Sequence, residues 1–148
     1  MSNTYTQLFV HIVFSSKHRE KVLTRDIREQ IFKYITGVIE KRNQKLYIIG
    51  GYLDHIHIFL SLSPTIQIDA LVRDIKQSSS KFINDNKLTD GIFRWQEGYG
   101  AFSNSVKDID RVITYIKHQE EHHAKKTFID EYVSFLNVNK IDYDEKYI

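Results

Sequence analysis

From residue 55 to residue 62 the chain reads His-Ile-His-Ile-Phe-Leu-Ser-Leu, and this alternation limits the possible folds more than any other stretch. At a period of two, Ile56, Ile58, Leu60 and Leu62 share one side of a strand, and His55, His57, Phe59 and Ser61 share the other. The first side demands an apolar layer above it. The second presents two imidazoles about 6.6–7 Å apart along the strand, close enough to converge on one ion. Ring nitrogens taken out of water need partners. A partly exposed face with two solvated histidines meets that need as simply as a ligand does, and a His-x-His triplet alone does not choose between them.

The surrounding pattern supplies the other elements. Residues 5–14 alternate, with Leu8, Val10, Ile12 and Phe14 on one face and Gln7, Phe9, His11 and Val13 on the other, which predicts a first strand. A polar, basic connection with Lys17, His18, Arg19 and Lys21 follows. Thr24 is an N-cap candidate for a helix whose apolar stripe is Ile27, Ile31, Tyr34, Ile35, Val38 and Ile39. A second strand over residues 46–52 leads through Leu53-Asp54, a tight hairpin turn, into the histidine strand. Pro64 ends that strand. Ile68, Leu71, Val72, Ile75, Phe82 and Ile83 mark a second helix opening near Asp69, with Arg73, Lys76, Lys81 and a serine run on its outer face. A fourth strand is expected over residues 92–103, interrupted at Gly98 and Gly100. Asp108 opens a long third helix with Ile109, Val112, Ile113 and Ile116 inward, and a last short helix beginning at Thr127 carries Phe128, Tyr132 and Phe135.

Strand, helix, strand, strand, helix, strand, then appended helices is the split βαββαβ plan, an α+β, ferredoxin-like or RRM-like antiparallel sheet. The histidine strand is then central, beside the first. The two main helices cover its isoleucine face, and His55, His57 and His11 point to the opposite face, which this plan leaves free for a site or a partner. At 148 residues the chain has the size of one domain, taken as residues 1–148. It shows no long apolar run and no basic-then-apolar leader, so neither a membrane span nor a secretory signal is expected. With no cysteine, thiolate metal sites and disulfides are excluded and a cytoplasmic location is expected. A net charge of +2 permits a nucleic-acid partner without requiring one. Nine tyrosines and nine phenylalanines offer faces for unpaired bases, or plain sheet and helix packing.

Two histidines leave a metal site incomplete, and the third helix offers a completing pair. At 100° per residue Asp108, Arg111, Tyr115, Gln119 and His122 form one stripe beside the apolar one. Tyr115 and Gln119, one turn apart, face the same point. Taken alone, Tyr-x-x-x-Gln is equally the polar shoulder of an amphipathic helix, and His122-His123 equally a helix-end pair that favours the dipole.

Several segments together carry a resemblance that no single one does: Asp54-His55-Ile56-His57; Leu71-Val72-Arg73-Asp74-Ile75-Lys76; Ser78-Ser79-Ser80-Lys81-Phe82-Ile83-Asn84; Trp95-Gln96-Glu97-Gly98-Tyr99-Gly100-Ala101-Phe102-Ser103; and Tyr115 through His123. Over nearly its whole length the chain resembles the single-tyrosine HUH transposases of the insertion-sequence-200-like family, including the relatives associated with repetitive extragenic palindromes. The resemblance implies that His55 and His57 bind a divalent metal, Mg²⁺ or Mn²⁺, with Gln119 as third ligand, and that Tyr115 is the catalytic nucleophile, attacking single-stranded DNA to leave a 5′-phosphotyrosine and a free 3′-hydroxyl for strand transfer. It further implies a homodimer with the site assembled in trans, and recognition of a DNA hairpin near element ends. Lys17, Arg19, Arg73, Lys76, Lys81, Trp95 and Tyr99 are the candidate DNA contacts. Two other readings stay open: a domesticated relative that nicks host repeats, and a non-catalytic binder stacking bases on Phe9 and Phe59.

Overall fold

In the computed structural model, which describes residues 3–148, the sheet is built around two strands that bury both faces. β1 (Phe9–Ser15) and β3 (His55–Ser61) pair antiparallel, with Val13 opposite His57 and His11 opposite Phe59. β2 (Lys45–Gly51) flanks β3 and β4 (Gly100–Asn104) flanks β1, giving the order β2-β3-β1-β4. The β2–β3 hairpin turns at Leu53-Asp54 and is closed by the Tyr52 N–H donating to the His55 carbonyl at 3.0 Å. This is the split βαββαβ arrangement, with the histidine strand central.

One face meets α1 (Arg25–Lys41) and α2 (Ile68–Asp85). Val10, Ile12, Phe14, Ile56, Ile58 and Leu60 from the sheet pack there with Ile31, Ile35 and Ile39 of α1 and Leu71, Val72, Ile75 and Ile83 of α2. The helical spacing of these residues is why both segments coil, since burying such a stripe stabilises a helix far more than propensity does. Thr24 occupies the N-cap of α1, though its hydroxyl makes no capping bond.

The opposite face is not free. α3 (Ile109–Lys117), α4 (Gln119–His123) and α5 (Phe128–Val138) lie over it. Phe9 and Phe59 are sealed beneath Val112 and Ile116, and Val13 and Phe102 beneath Phe128 and Leu136. The amphipathic periods of these helices require an apolar surface, and the second face of the sheet provides it. Phe9 and Phe59 therefore serve as core and not as a platform for bases.

Three expectations shift in detail. The first strand starts at Phe9, not residue 5, because its partner β3 ends at Ser61 before Pro64, and Tyr5 and Leu8 stand exposed. Of residues 92–103 only the last four, from Gly100 on, join a strand, which runs to Asn104; Trp95 makes one isolated bridge to Ser16. Gly98 sits at φ 83, and the carbonyls of Gln96 and Gly98 are taken by Lys76 Nζ at 2.6 and 2.7 Å in place of a neighbouring strand. The third helix is broken at His118 (φ −105, ψ 31), so Tyr115 and Gln119 lie on two short helices and not on one long one.

Candidate metal and tyrosine site

β3 delivers His55 and His57 to the interior side of the α3–α5 layer, and both are fully buried. Their outer nitrogens are fixed from behind. His55 Nδ1 donates to Asp54 Oδ1 at 2.7 Å, and His57 Nδ1 lies 2.7 Å from His11 Nε2. Such contacts hold an imidazole's tautomer and direction, leaving Nε2 aimed inward. The register puts His11 diagonally across from His57, so the sheet itself makes this pair.

The groups meeting those Nε2 atoms come from the helical layer. Gln119 Oε1 lies 2.9 Å from His55 Nε2, and Glu131 Oε1 lies 2.9 Å from His57 Nε2 and 3.4 Å from His55 Nε2. The second oxygen of Glu131 receives His123 Nε2 at 3.1 Å, His122 Nε2 at 3.3 Å and Gln119 Nε2 at 3.3 Å, and accepts a hydrogen bond from the Tyr115 hydroxyl. His122 Nε2 is also 3.3 Å from Tyr115 Oη. The Phe128 ring stacks on His55 and the Tyr52 ring on His123, covering those imidazoles, while Tyr115 and His122 stay half-buried. Histidines, tyrosine and glutamine from three separate segments thus gather about one carboxylate.

Glu131 was not foreseen. The visible signal is a glutamate set between Phe128, Tyr132 and Phe135 on the face that buries α5, and a carboxylate on such a face needs charged partners.

The electrostatics follow from this crowding. Burial would raise the Glu131 carboxyl, but hydrogen bonds from His123 and His57, with the electrostatic pull of His57 and His55, hold it well below the usual carboxylate range. Burial keeps His57 neutral down to about 4, despite the opposing pull of Glu131, and keeps His11 neutral to about 3. Burial and the adjacent Glu131 charge push the Tyr115 hydroxyl well above its ordinary value of 10.0. As it stands, Tyr115 keeps its proton.

Nitrogen or oxygen atoms of His55, His57, His123 and Glu131 all lie within 4.8 Å of one another, so this cluster could hold a metal ion. A cation with bonds of about 2.1 Å sets neighbouring ligand atoms about 3–3.5 Å apart, a spacing close to those above. The donor chemistry fits as well. When His55 is neutral and gives Nδ1–H to Asp54, its Nε2 offers a lone pair to Gln119 Oε1 and Glu131 Oε1, which also only accept. Turning the Gln119 amide over would only move the conflict to Glu131. A cation among them satisfies all three.

In this chain Tyr115 and Gln119 come together with the chain's own His55 and His57; the resemblance implies the same meeting between two chains. The candidate DNA contacts are placed elsewhere. Arg73, Lys76 and Lys81 lie on α2, across the sheet from the histidines. Arg73 pairs with Asp69 at 2.9 Å, Lys81 with Asp85 at 2.7 Å, and the Tyr99 hydroxyl donates to Asp69 at 3.3 Å. Arg19 Nη1 donates to the Ile148 carbonyl, and the Lys17 backbone N–H to Arg94. Trp95 is a core residue: its ring packs edge-on against Phe14 and Phe93, and Nε1 donates to Ser79 Oγ at 2.9 Å. With no regular alternation around it, the sequence could not distinguish a packed indole from an exposed one.

The fold is shared with solved structures described as transposases. A Deinococcus radiodurans R1 protein described as a candidate transposase superposes with a TM-score of 0.65 at 18% identity, covering 80% of this chain and 95% of that one. A tyrosine transposase associated with REP sequences, solved bound to a REP hairpin, superposes at 0.60 with 18% identity, over 83% and 73%. What these two structures share with the chain is the fold. Residues 4–119 match the family described as "Transposase IS200 like", and the chain belongs to that family. Transposases for insertion sequence element IS200 from Salmonella typhimurium and Salmonella typhi are each 26% identical to it over 118 residues, 75% of this chain and 76% of theirs. His122, His123 and Glu131 lie beyond the family-matched span.

Proposed function

We propose that this transposase cleaves single-stranded DNA with Tyr115 as nucleophile, at a metal cage made by His55, His57 and Gln119 with Glu131 and His123. The observation that carries this reading is the convergence of the Tyr115 hydroxyl, two inward Nε2 atoms and Gln119 Oε1 on one buried point. Tyr115 Oη would bond to phosphorus while the bond to the 3′-oxygen breaks, giving a 5′-phosphotyrosine and a 3′-hydroxyl. A later 3′-hydroxyl reverses the step on another strand. A divalent cation in the cage supplies positive charge to the non-bridging phosphate oxygens and favours tyrosinate over tyrosine. Among Mg²⁺ and Mn²⁺, a donor set with three imidazoles favours Mn²⁺.

The chain's own residues do the rest. Asp54 and His11 orient the two β3 imidazoles. Glu131 and His122 hold Oη, and Phe128 and Tyr52 keep water from the rings. A hairpin near the element ends is the proposed partner, in line with the REP-hairpin complex of the similar transposase. Because Tyr115 and the histidines meet in one chain, a monomer suffices to assemble the cage; a homodimer that exchanges the tyrosine helices would place the same atoms together.

Incubating the protein and Mn²⁺ with hairpin-flanked single strands should give a covalent protein–DNA adduct, and Tyr115→Phe should abolish it while hairpin binding persists. An adduct surviving in Tyr115→Phe would transfer the nucleophile to another tyrosine and break the reading.

A further inference from the structure

Beyond the break at His118, α4 is also braced from outside the site. The first residues of α4 are Gln119, buried against His55, and Glu120, which turns the other way to α1. Glu120 is gripped twice. Arg25 donates through Nε to Oε1 at 3.1 Å and through Nη2 to Oε2 at 2.6 Å. Arg28 Nη2 also donates to Oε1, while its Nη1 donates to the Leu23 carbonyl at 2.7 Å. The Arg28 side chain is only 7% exposed. An arginine buried to that depth is costly unless its fork is filled, and this one is filled by a single carboxylate and a single carbonyl.

Those two partners lead to the two halves of the site. The Leu23 N–H donates to the Leu53 carbonyl at 2.9 Å, in the hairpin turn that carries Asp54 and then His55. Asp54 in turn directs the His55 ring. Glu120 is covalently next to Gln119, whose Oε1 faces that ring. The start of α1 therefore references the strand half and the helix half of the cage to one guanidinium, although α1 packs on the opposite face of the sheet. The His118 side chain, bonded to the Thr114 carbonyl at 2.8 Å, ends α3 but does not set where α4 points. Only the arginine grip does so from α1.

We propose that Arg28, with Arg25, is a positioning residue of the transposase reaction, clamping Glu120 so that Gln119 is fixed against His55. The inference rests on the reading of Gln119 as a metal ligand given above. The clamp acts through Gln119, so its loss should appear in metal affinity and in kcat more than in KM for the strand.

The test is a double-mutant cycle on the full-length chain, with Mn²⁺ affinity measured by calorimetry in the absence of DNA. Glu120 is the residue to change, since its own side chain is 41% exposed, and circular dichroism and the Glu120→Gln variant separate loss of the clamp from unfolding around an unpaired Arg28. Glu120→Ala should weaken Mn²⁺ binding by about tenfold, the lower end of what outer-shell partners contribute. Glu120→Gln, which keeps an oxygen for Arg28, should fall between it and wild type. In a Gln119→Ala background Glu120→Ala should add nothing, because the group it positions is gone. Wild-type affinity in Glu120→Ala beside a weakened Gln119→Ala would overturn the clamp while leaving the ligand reading intact. Full additivity of the two losses would overturn it as well. Unchanged affinity in Gln119→Ala would remove the ligand reading itself, and the clamp with it.

Discussion

Replacing Gly50 by alanine tests whether the seat of α3 sets the geometry of Tyr115. Gly50 lies in β2 opposite His57, and α3 crosses directly over it. A Cβ added there would stand 2.4 Å from the Ile116 carbonyl oxygen and 2.6 Å from Ile116 Cγ2, where ordinary contact begins at 3.4 Å. The nearest obstacle is backbone, so rotating a side chain does not relieve it. β2 cannot retreat either, since its ladder with β3 holds the histidines in register. Backbone at Ile116 must therefore rise by roughly 1 Å, carrying Tyr115 on one side and Gln119 on the other. A misplacement of about 1 Å can cost about 10²-fold in rate. The assay is single-turnover adduct formation on a hairpin-flanked single strand with saturating Mn²⁺, beside circular dichroism to count folded protein. Gly37→Ala is the control: it lies mid-α1 with nothing within 4 Å of an added Cβ, and should leave the rate alone while gaining about 0.5–1 kcal/mol of stability. A folded Gly50→Ala protein cleaving at the wild-type rate would refute the argument.

Acid should destabilise the metal-free protein well above the usual carboxylate range. The unfolded chain protonates its histidines near 6.5, whereas folded His57 stays neutral to about 4 and His11 to about 3. Between those values the unfolded state binds more protons, so stability falls as pH falls. Glu131, depressed in the fold, contributes stability present above its unfolded value and lost below it, in the same direction. For His57 alone full acidification amounts to about 3 kcal/mol, and urea midpoints that stay flat from pH 7 to about 4.5 would contradict this. Saturating Mn²⁺ should raise the melting temperature, by an amount equivalent to about 2.7 kcal/mol at a hundredfold excess over Kd; His57→Ala should lose most of that shift, and an equal shift in both proteins would place the ion elsewhere. Trp95, the only tryptophan, should emit as a buried indole and stay unquenched when a single strand binds. Ser79→Ala, removing its partner, should cost about 1 kcal/mol, and strong quenching by DNA would return Trp95 to the binding surface.

What could be read from the sequence, and what could not, divides by the range over which each residue's role is set. His55 and His57, the stripes of α1 and α2, and the turn at Leu53-Asp54 are fixed by neighbours two to four positions away, so periodicity exposes them. Glu131 is fixed by His57, 74 residues distant, and by Tyr115. Locally it is one polar residue in the apolar face of α5, and nothing nearby marks it as the hub. The break at His118 is similar: no glycine or proline announces it, and the partners of α4 are distant, among them Arg28, 92 residues from Glu120, and His55, 64 residues from Gln119. The face opposite α1 and α2 was left open for the same reason, because the apolar stripe of α3 declares that it will be covered but not by whose sheet.

This division bears on how the chain relates to its family. The matched span ends at Gln119 and already contains Tyr115, His55 and His57, together with Arg25 and Arg28. Glu120, His122, His123 and Glu131 all follow it. The part of the cage from β3, with Gln119 at the start of α4, thus lies inside the matched span, while the carboxylate beside it and one partner of the arginine clamp lie outside. A buried anion in contact with the Tyr115 hydroxyl sets the proton's cost of departure, and a clamp sets the distance from Gln119 to His55. Glu131→Gln should therefore change metal affinity and cleavage rate as His57→Ala does, although it lies outside the matched span, and a Glu131→Gln protein with wild-type values for both would contradict this.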